Sequence, residues 1–273
     1  MDIRKNESAS STIVYSCYHQ ASRDGEHFVP EHTLIYQIAG SLILNDGSQE
    51  YAPHPGSFRL IRRNQLIKFV KYPPVDGDFK SLSIYLNQGT LKNFSQEYGF
   101  SASDKDYGLP VIDLETDIAL KQYIQSLLSY QQSGSLKSRQ LIELKVKEGL
   151  LLLLQANPGL KNILFDFTEP HKIDLAAFMN KNYRFNVRLE RLAYLTGRSL
   201  ATFKRDFGRT FGCSPARWLQ QKRLQEAHYL IEKGEKSSRI YLELGFENLS
   251  HFSYAYKKMY GNPPSIKQST GRT

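Results

Sequence analysis

The stretch LERLAYLTGRSLATFKRDFGRTFGCSPARWLQQKRLQEAHYLI, Leu189 to Ile231, decides the reading of this chain. Val187, Leu189, Leu192, Ala193 and Leu195 recur at helical spacing, and Asn186 stands where a capping side chain is expected. Thr196-Gly197-Arg198-Ser199 then interrupts the pattern. Gly197 admits a sharp bend, and Ser199 can accept a hydrogen bond from an early N–H of the next helix. Leu200, Phe203, Phe207 and Phe211 follow at steps of three, four and four, so one face of that helix is strongly apolar. Its other face carries Ala201, Thr202, Lys204, Arg205 and Arg209. A short helix, a glycine turn and a second helix with small, polar and basic residues outward suits major-groove reading, because Arg and Lys donate to guanine O6 and N7. A solvated basic face on an ordinary bundle helix has the same pattern, and one such unit does not separate the two readings.

The arrangement occurs twice. Ser214-Pro215 opens a long helix with a capping side chain and a first-turn proline, and Trp218, Leu219, Ala227, Leu230 and Ile231 give it an apolar stripe. It runs to Lys233-Gly234 and spans on the order of 27 Å. Ile240, Leu242 and Leu244 lead into Gly245-Phe246-Glu247-Asn248. A further helix then carries Leu249, Phe252, Tyr256 and Met259 on one side and Ser250, His251, Ser253, Tyr254, Lys257 and Lys258 on the other, ending at Gly261-Asn262-Pro263-Pro264. Two groove-reading units on a stiff strut reach successive major-groove segments of B-DNA, about 34 Å apart, if the duplex bends slightly.

The charge agrees with this division. From His171 to the end there are 19 Lys and Arg against 8 Asp and Glu, a surplus of 11, whereas the preceding residues carry 17 against 19. The whole basic excess therefore sits in the last third, the electrostatic footprint of a domain that displaces counterions from phosphates. Charge alone also fits anionic lipid or plain solubility.

At this point the sequence resembles the AraC/XylS family. The residues that carry the resemblance are Leu189 to Ile231 and RIYLELGFENLSHFSYAYKKMYGNPPS, Arg239 to Ser265. The Leu-Ala before a glycine turn, the Phe-Lys-Arg of the first recognition helix, the Ser-Pro that opens the linker helix, the Gly-Phe turn and the late Gly-x-Pro-Pro all stand at family spacing. The resemblance implies base contacts from Ala201, Thr202, Lys204 and Arg205 in the first unit and from Leu249, Ser250, Ser253 and Tyr254 in the second. It implies phosphate contacts from Arg198, Arg209, His251, Lys257 and Lys258. Ser237 and Tyr241 depart from the small and apolar residues usual before the second turn, and Leu249 and Tyr254 replace frequently polar positions.

The first half reads as β. His32 to Leu44 is rich in β-branched and aromatic residues and ends at the hairpin signal Asn45-Asp46-Gly47-Ser48. Ser57 to Arg62, Leu66 to Tyr72 and Phe79 to Leu86 follow between Pro/Gly turns, a spacing that suggests a small barrel or jelly roll. Beyond Gln88 the period becomes helical: Leu91, Phe94 and Tyr98 share a face, and Ile118 to Tyr130 and Leu136 to Gln155 read as longer helices. The wholly apolar Leu150 to Leu154 implies burial on several sides. Amino-terminal domains of the resembled family are often cupin-like barrels, so the expected fold is α+β: residues 1–160 a cupin-like β-barrel with trailing helices that senses or dimerises, residues 161–273 an all-α domain with two helix-turn-helix units.

Other functions find little support. Glu31, His32 and His54 are isolated, whereas a catalytic metal needs about three protein ligands around an open position. No nucleophile elbow, phosphate-cradling loop or dinucleotide fingerprint is present, so no catalytic residue and no cofactor is expected. Cys17 and Cys213 form no C-x-x-C motif and read as ordinary thiols. The opening MDIRKNESASST has no apolar core, and no run approaches the roughly 18 apolar residues of a membrane span, so a cytoplasmic protein without a membrane partner is expected. Tyr36, Phe58 and Phe69 are candidates to line a small-molecule pocket, with core packing as the plainer role. The partners expected are double-stranded promoter DNA, RNA polymerase, a small-molecule effector and a second copy of the chain. The competing reading is a cupin-like enzyme or binding protein with an accessory basic bundle.

Overall fold

The computed structural model describes residues 12–264, apart from 23–25, 53, 107 and 116. The chain divides into two compact units, the first ending at Thr168 and the second beginning at Glu169, with residues 26–28 belonging to the second.

The strands are β1 (Ile13–Tyr18), β2 (Phe28–Val29), β3 (His32–Ala39), β4 (Ser41–Asn45), β5 (Glu50–Tyr51), β6 (Phe58–Ile61), β7 (Gln65–Leu66), β8 (Lys68–Tyr72), β9 (Phe79–Leu86) and β10 (Val111–Asp113), all in the first unit except Phe28 of β2. β1-β9-β3-β6-β10 form one sheet, β5-β4-β8 a second, and β2-β7 a ribbon. The expected single strand over residues 32–44 is broken at Gly40, where φ is +81° and a Cβ would stand 2.5 Å from the Tyr72 carbonyl oxygen. There the chain leaves the large sheet for the small one. The hairpin reading holds: Leu44 pairs with Tyr51, and Asp46 Oδ1 accepts from the N–H groups of Ser48 (2.7 Å) and Gln49 (2.8 Å). Leu66 to Tyr72 divides between β7 and β8, and β1 and β10 complete the large sheet without having been anticipated.

Alternation along the large sheet splits its side chains between two cores. Ile35, Ile61 and Phe79 pack with Leu42 and Leu44 of the small sheet. Leu34, Leu60, Leu82, Ile84 and Leu86 pack instead with α1 (Gln88–Tyr98), α2 (Ile118–Ser133) and α3 (Arg139–Ala156), through Leu91, Phe94, Ile124, Val146 and Leu150. Leu160, Ile163, Leu164 and Phe165, in and around the short α4 (Lys161–Leu164), join this core. That is why the first unit extends past residue 160. Within the apolar run of α3, Leu150, Leu153 and Leu154 are buried but Leu151 lies on the exposed face with Leu144, so burial there is one-sided. His32 is buried; its Nδ1 accepts from the Arg63 N–H, and burial, reinforced by Arg63 and Arg62, pulls its pKa down to about 3. The ring is thus neutral at pH 7.

The second unit is helical: α5 (Leu175–Asn182), α6 (Leu189–Leu195), α7 (Leu200–Phe211), α8 (Pro215–Glu232), α9 (Ser237–Glu243) and α10 (Leu249–Tyr260). Phe203 and Phe207 are buried on α7, and Phe207 meets Trp218 of α8 edge-on at 5.8 Å. Leu224, Ala227 and Ile231 of α8 pack with Ile240, Phe246, Phe252 and Tyr256. Two expected caps are corrected. Asn186 lies ahead of the Arg188 cap position of α6 and donates instead to Glu247 at 3.3 Å, and Ser214 sits at the α8 cap without a side-chain hydrogen bond to it. The start of α6 is served by residues distant in sequence. Glu26 Oε1 accepts from the Arg188 N–H at 3.1 Å, and His27 exchanges hydrogen bonds with Asn186 at 3.2 and 3.0 Å. An acidic group at a helix's positive end is stabilising. Among the described residues no helix is long and apolar enough to cross a membrane, and no group of three His, Cys, Asp or Glu could hold a metal.

Candidate nucleic-acid interface

Two helix pairs, each bent at a glycine, present their second helices outward. In the first, α6 ends at Thr196 and Gly197 turns the chain at φ +63°. Ser199 then accepts from the Thr202 N–H at 3.3 Å, as its position suggested, and α7 follows. With Phe203 and Phe207 inward, the opposite side of α7 is left to Ala201, Lys204, Arg205 and Arg209, all exposed, and to the half-buried Thr202. Arg205 approaches a carboxylate only loosely, 3.9 Å from Asp206. Its guanidinium is therefore open to a nucleic-acid partner.

The second pair repeats the plan. α9 buries Ile240 and ends ahead of Gly245, whose φ is +81°. Tyr241 is partly buried against the α8–α10 core and Ser237 begins α9, so the two unusual residues are accommodated in a regular helix pair. Asn248 caps α10 by accepting from the His251 N–H at 2.7 Å, a role its place three residues before His251 could have signalled. Leu249, Ser250, His251, Tyr254, Lys257 and Lys258 are exposed and Ser253 is half-buried. Tyr254 is 70% exposed, a large aromatic surface that no core explains. Lys257 and Lys258 lie in the last turn.

Arg198 is drawn inward. Its side chain is only 6% exposed, and it donates to Asp206 (3.1 Å), to the Thr196 carbonyl (2.7 Å) and to the Ile173 carbonyl (3.1 Å). The hydrogen bond to Asp206 also holds that carboxyl below the usual range. Nε and Nη1 of Arg198 thus tie the first turn to the segment before α5, a structural role beside the phosphate contact expected of it. The three candidate pocket rings do not converge. Tyr36 and Phe58, 6.1 Å apart, pack on the helix-covered side of the large sheet, whereas Phe69 packs between the two sheets.

A pair of helix-turn-helix units with solvent-facing cationic second helices defines a DNA-binding domain. Residues 192–268 match the family described as "Helix-turn-helix domain", and residues 32–164 the one described as "ExsA N-terminal regulatory domain". The virulence regulon transcriptional activator VirF of Yersinia enterocolitica is 28% identical over 256 residues, covering 89% of this chain and 92% of its own length. The HTH-type transcriptional regulator ExsA of Pseudomonas aeruginosa is 27% identical over 245 residues, 86% of this chain and 85% of its own length. Among solved structures, an apo form of a ToxT variant from Vibrio cholerae aligns over 95% of this chain and 97% of its own, with a TM-score of 0.47 and 13% identity. The chain is a transcription regulator of the AraC family, with a helix-turn-helix DNA-binding domain and an N-terminal regulatory domain.

Proposed function

We propose that the protein reads two adjacent major-groove segments of promoter DNA at once, α7 in one and α10 in the next. The observation that carries this is the repetition: both units expose the recognition-helix face that follows a left-handed glycine turn. In the first, Lys204 and Arg205 donate to guanine edges while Ala201 and Thr202 contact neighbouring bases. In the second, Ser250 and Ser253 supply hydrogen bonds, and Leu249 and Tyr254 pack on thymine methyls. Arg209, His251, Lys257 and Lys258 hold phosphates, Arg209 and the two lysines near the helix ends.

The reading is of a binding protein rather than an enzyme, resident in the cytoplasm with its DNA. A second copy of the chain is the partner proposed for the exposed α3 face bearing Leu144 and Leu151, and RNA polymerase the partner by analogy with the relative named an activator. A small-molecule effector of the regulatory half would need a site other than the divided Tyr36, Phe58 and Phe69 set.

The test compares two substitutions on cognate and scrambled duplexes across a salt series. Arg205→Ala is expected to lose about 1–3 kcal/mol on cognate DNA and to relax selectivity at one base pair. Lys257→Ala should weaken both duplexes alike and lower the salt slope by about one counterion. Equal losses on both duplexes for Arg205→Ala would overturn direct readout by α7.

A further inference from the structure

One side chain ties the turn of the second unit to the front of the first. Arg223, midway along α8, donates from Nε to the Tyr183 carbonyl at 2.7 Å and from Nη2 to the Phe185 carbonyl at 2.8 Å, both in the connection between α5 and α6. Its Nη1 donates to the Gly245 carbonyl at 2.8 Å, in the turn before α10. Arg223 forms no ion pair with a carboxylate among the described residues. Burial alone lowers its pKa to about 10, so it stays charged at neutral pH with only carbonyl dipoles to balance it.

A half-buried charge loses hydration that its hydrogen bonds must replace, so displacement of any of the three carbonyls is resisted. Elsewhere α8 meets the second helix pair through the apolar Leu224, Ala227 and Ile231 and through His228, which shares a 2.8 Å hydrogen bond with the Tyr256 hydroxyl; these contacts hold α8 to α10 but do not reach the front of the first pair, which Arg223 does. Gly245 is seated directly on the guanidinium: a Cβ there would stand 2.9 Å from Arg223 Cζ and 2.8 Å from the Arg184 carbonyl oxygen. The clamp borders a surface cleft of about 600 Å³ lined by Gln220, Asn186 and Glu247, and there the two helix pairs meet through the exposed Asn186–Glu247 hydrogen bond rather than through close packing.

We propose that Arg223 is the positioning residue that sets the register between the two recognition helices, so that α7 and α10 enter one duplex together. The proposal rests on the two-segment reading above. Once the first unit is bound, the second meets its segment at an effective concentration governed by the geometry of the connection. Loosening the clamp therefore reduces the gain from having both segments, while each unit keeps its own affinity.

The experiment uses the full chain and three duplexes: both segments intact, or either one scrambled. Wild-type protein is expected to prefer the intact duplex by roughly 100-fold over either scrambled one. Arg223→Met should reduce that preference to below about 10-fold with one-segment affinities within about twofold of wild type. Arg223→Lys, which keeps a charged donor, should recover part of the preference, and Gly245→Ala, which presses on the clamp from the other side, should lose it. Proportional weakening on all three duplexes by folded Arg223→Met would overturn the proposal, since a merely structural residue behaves so. If melting shows Arg223→Met unfolded, an unchanged preference in Arg223→Lys and Gly245→Ala overturns it equally. A wild-type chain without preference for the intact duplex would instead sink the two-segment reading and the clamp with it.

Discussion

Gly197→Ala is expected to destabilise the second unit by about 2–5 kcal/mol, the sum of a left-handed backbone penalty of about 1–2 kcal/mol and an overpacking cost of about 1–3 kcal/mol. The added methyl would stand 2.2 Å from the His171 carbonyl carbon and 2.4 Å from both its oxygen and the Lys172 nitrogen. All three atoms are backbone, so no rotamer change relieves the contact. The segment they belong to is the one Arg198 also grips, through the Ile173 carbonyl. Relief would therefore move the first turn, and with it the start of α7. A melting midpoint lower by more than about 10 °C is the expected readout. Gly208→Ala on the same helix is the control. Gly208 is not in the left-handed region and its Cβ meets nothing within 4 Å, so alanine there should be neutral or stabilising by up to about 1 kcal/mol. Equal melting points for Gly197→Ala and wild type would mean that the first turn is not built as described.

Phe207→Ala should cost about 3–5 kcal/mol, the range for emptying a buried phenyl site. Phe207 is fully buried, and its ring lies 5.6 Å from Phe203, 4.4 Å from Phe211 and 5.8 Å from Trp218. These four rings hold α7 against α8, and neither helix can close the gap without losing its other contacts. Lys204→Ala, one turn away on the exposed side, should stay within about 0.5 kcal/mol of wild type in denaturant unfolding while weakening DNA binding. The contrast separates the supporting face of α7 from its reading face. Unfolding that is as sensitive to Lys204 as to Phe207 would refute that division.

The helical half was legible because its signals are local. Phe203 and Phe207 at a step of four define a buried face, a glycine between two periodic segments defines a turn, and Ser199 caps by simple adjacency. The internal role of Arg198 was not legible because an arginine beside a recognition helix gives the same sequence signal whether its donors face a phosphate or the carbonyl of Ile173. Arg223 escaped notice for the same reason: its three acceptors are main-chain groups, which every residue possesses. In the β half, Gly40 hid a change of sheet inside what read as one strand. β10 has only three residues, too few for alternation to register. The service of the α6 start by Glu26 and His27 joins positions about 160 residues apart through backbone groups, and composition cannot reveal that.

The most direct test of simultaneous reading is a hydroxyl-radical footprint of the full chain on a duplex it has itself enriched from random DNA. Two protected patches on one face, about 10–10.5 base pairs apart and each lost on mutating its own segment, are the expected result. A single patch, or enrichment of no sequence at all, would contradict the placement of α7 and α10 in one duplex.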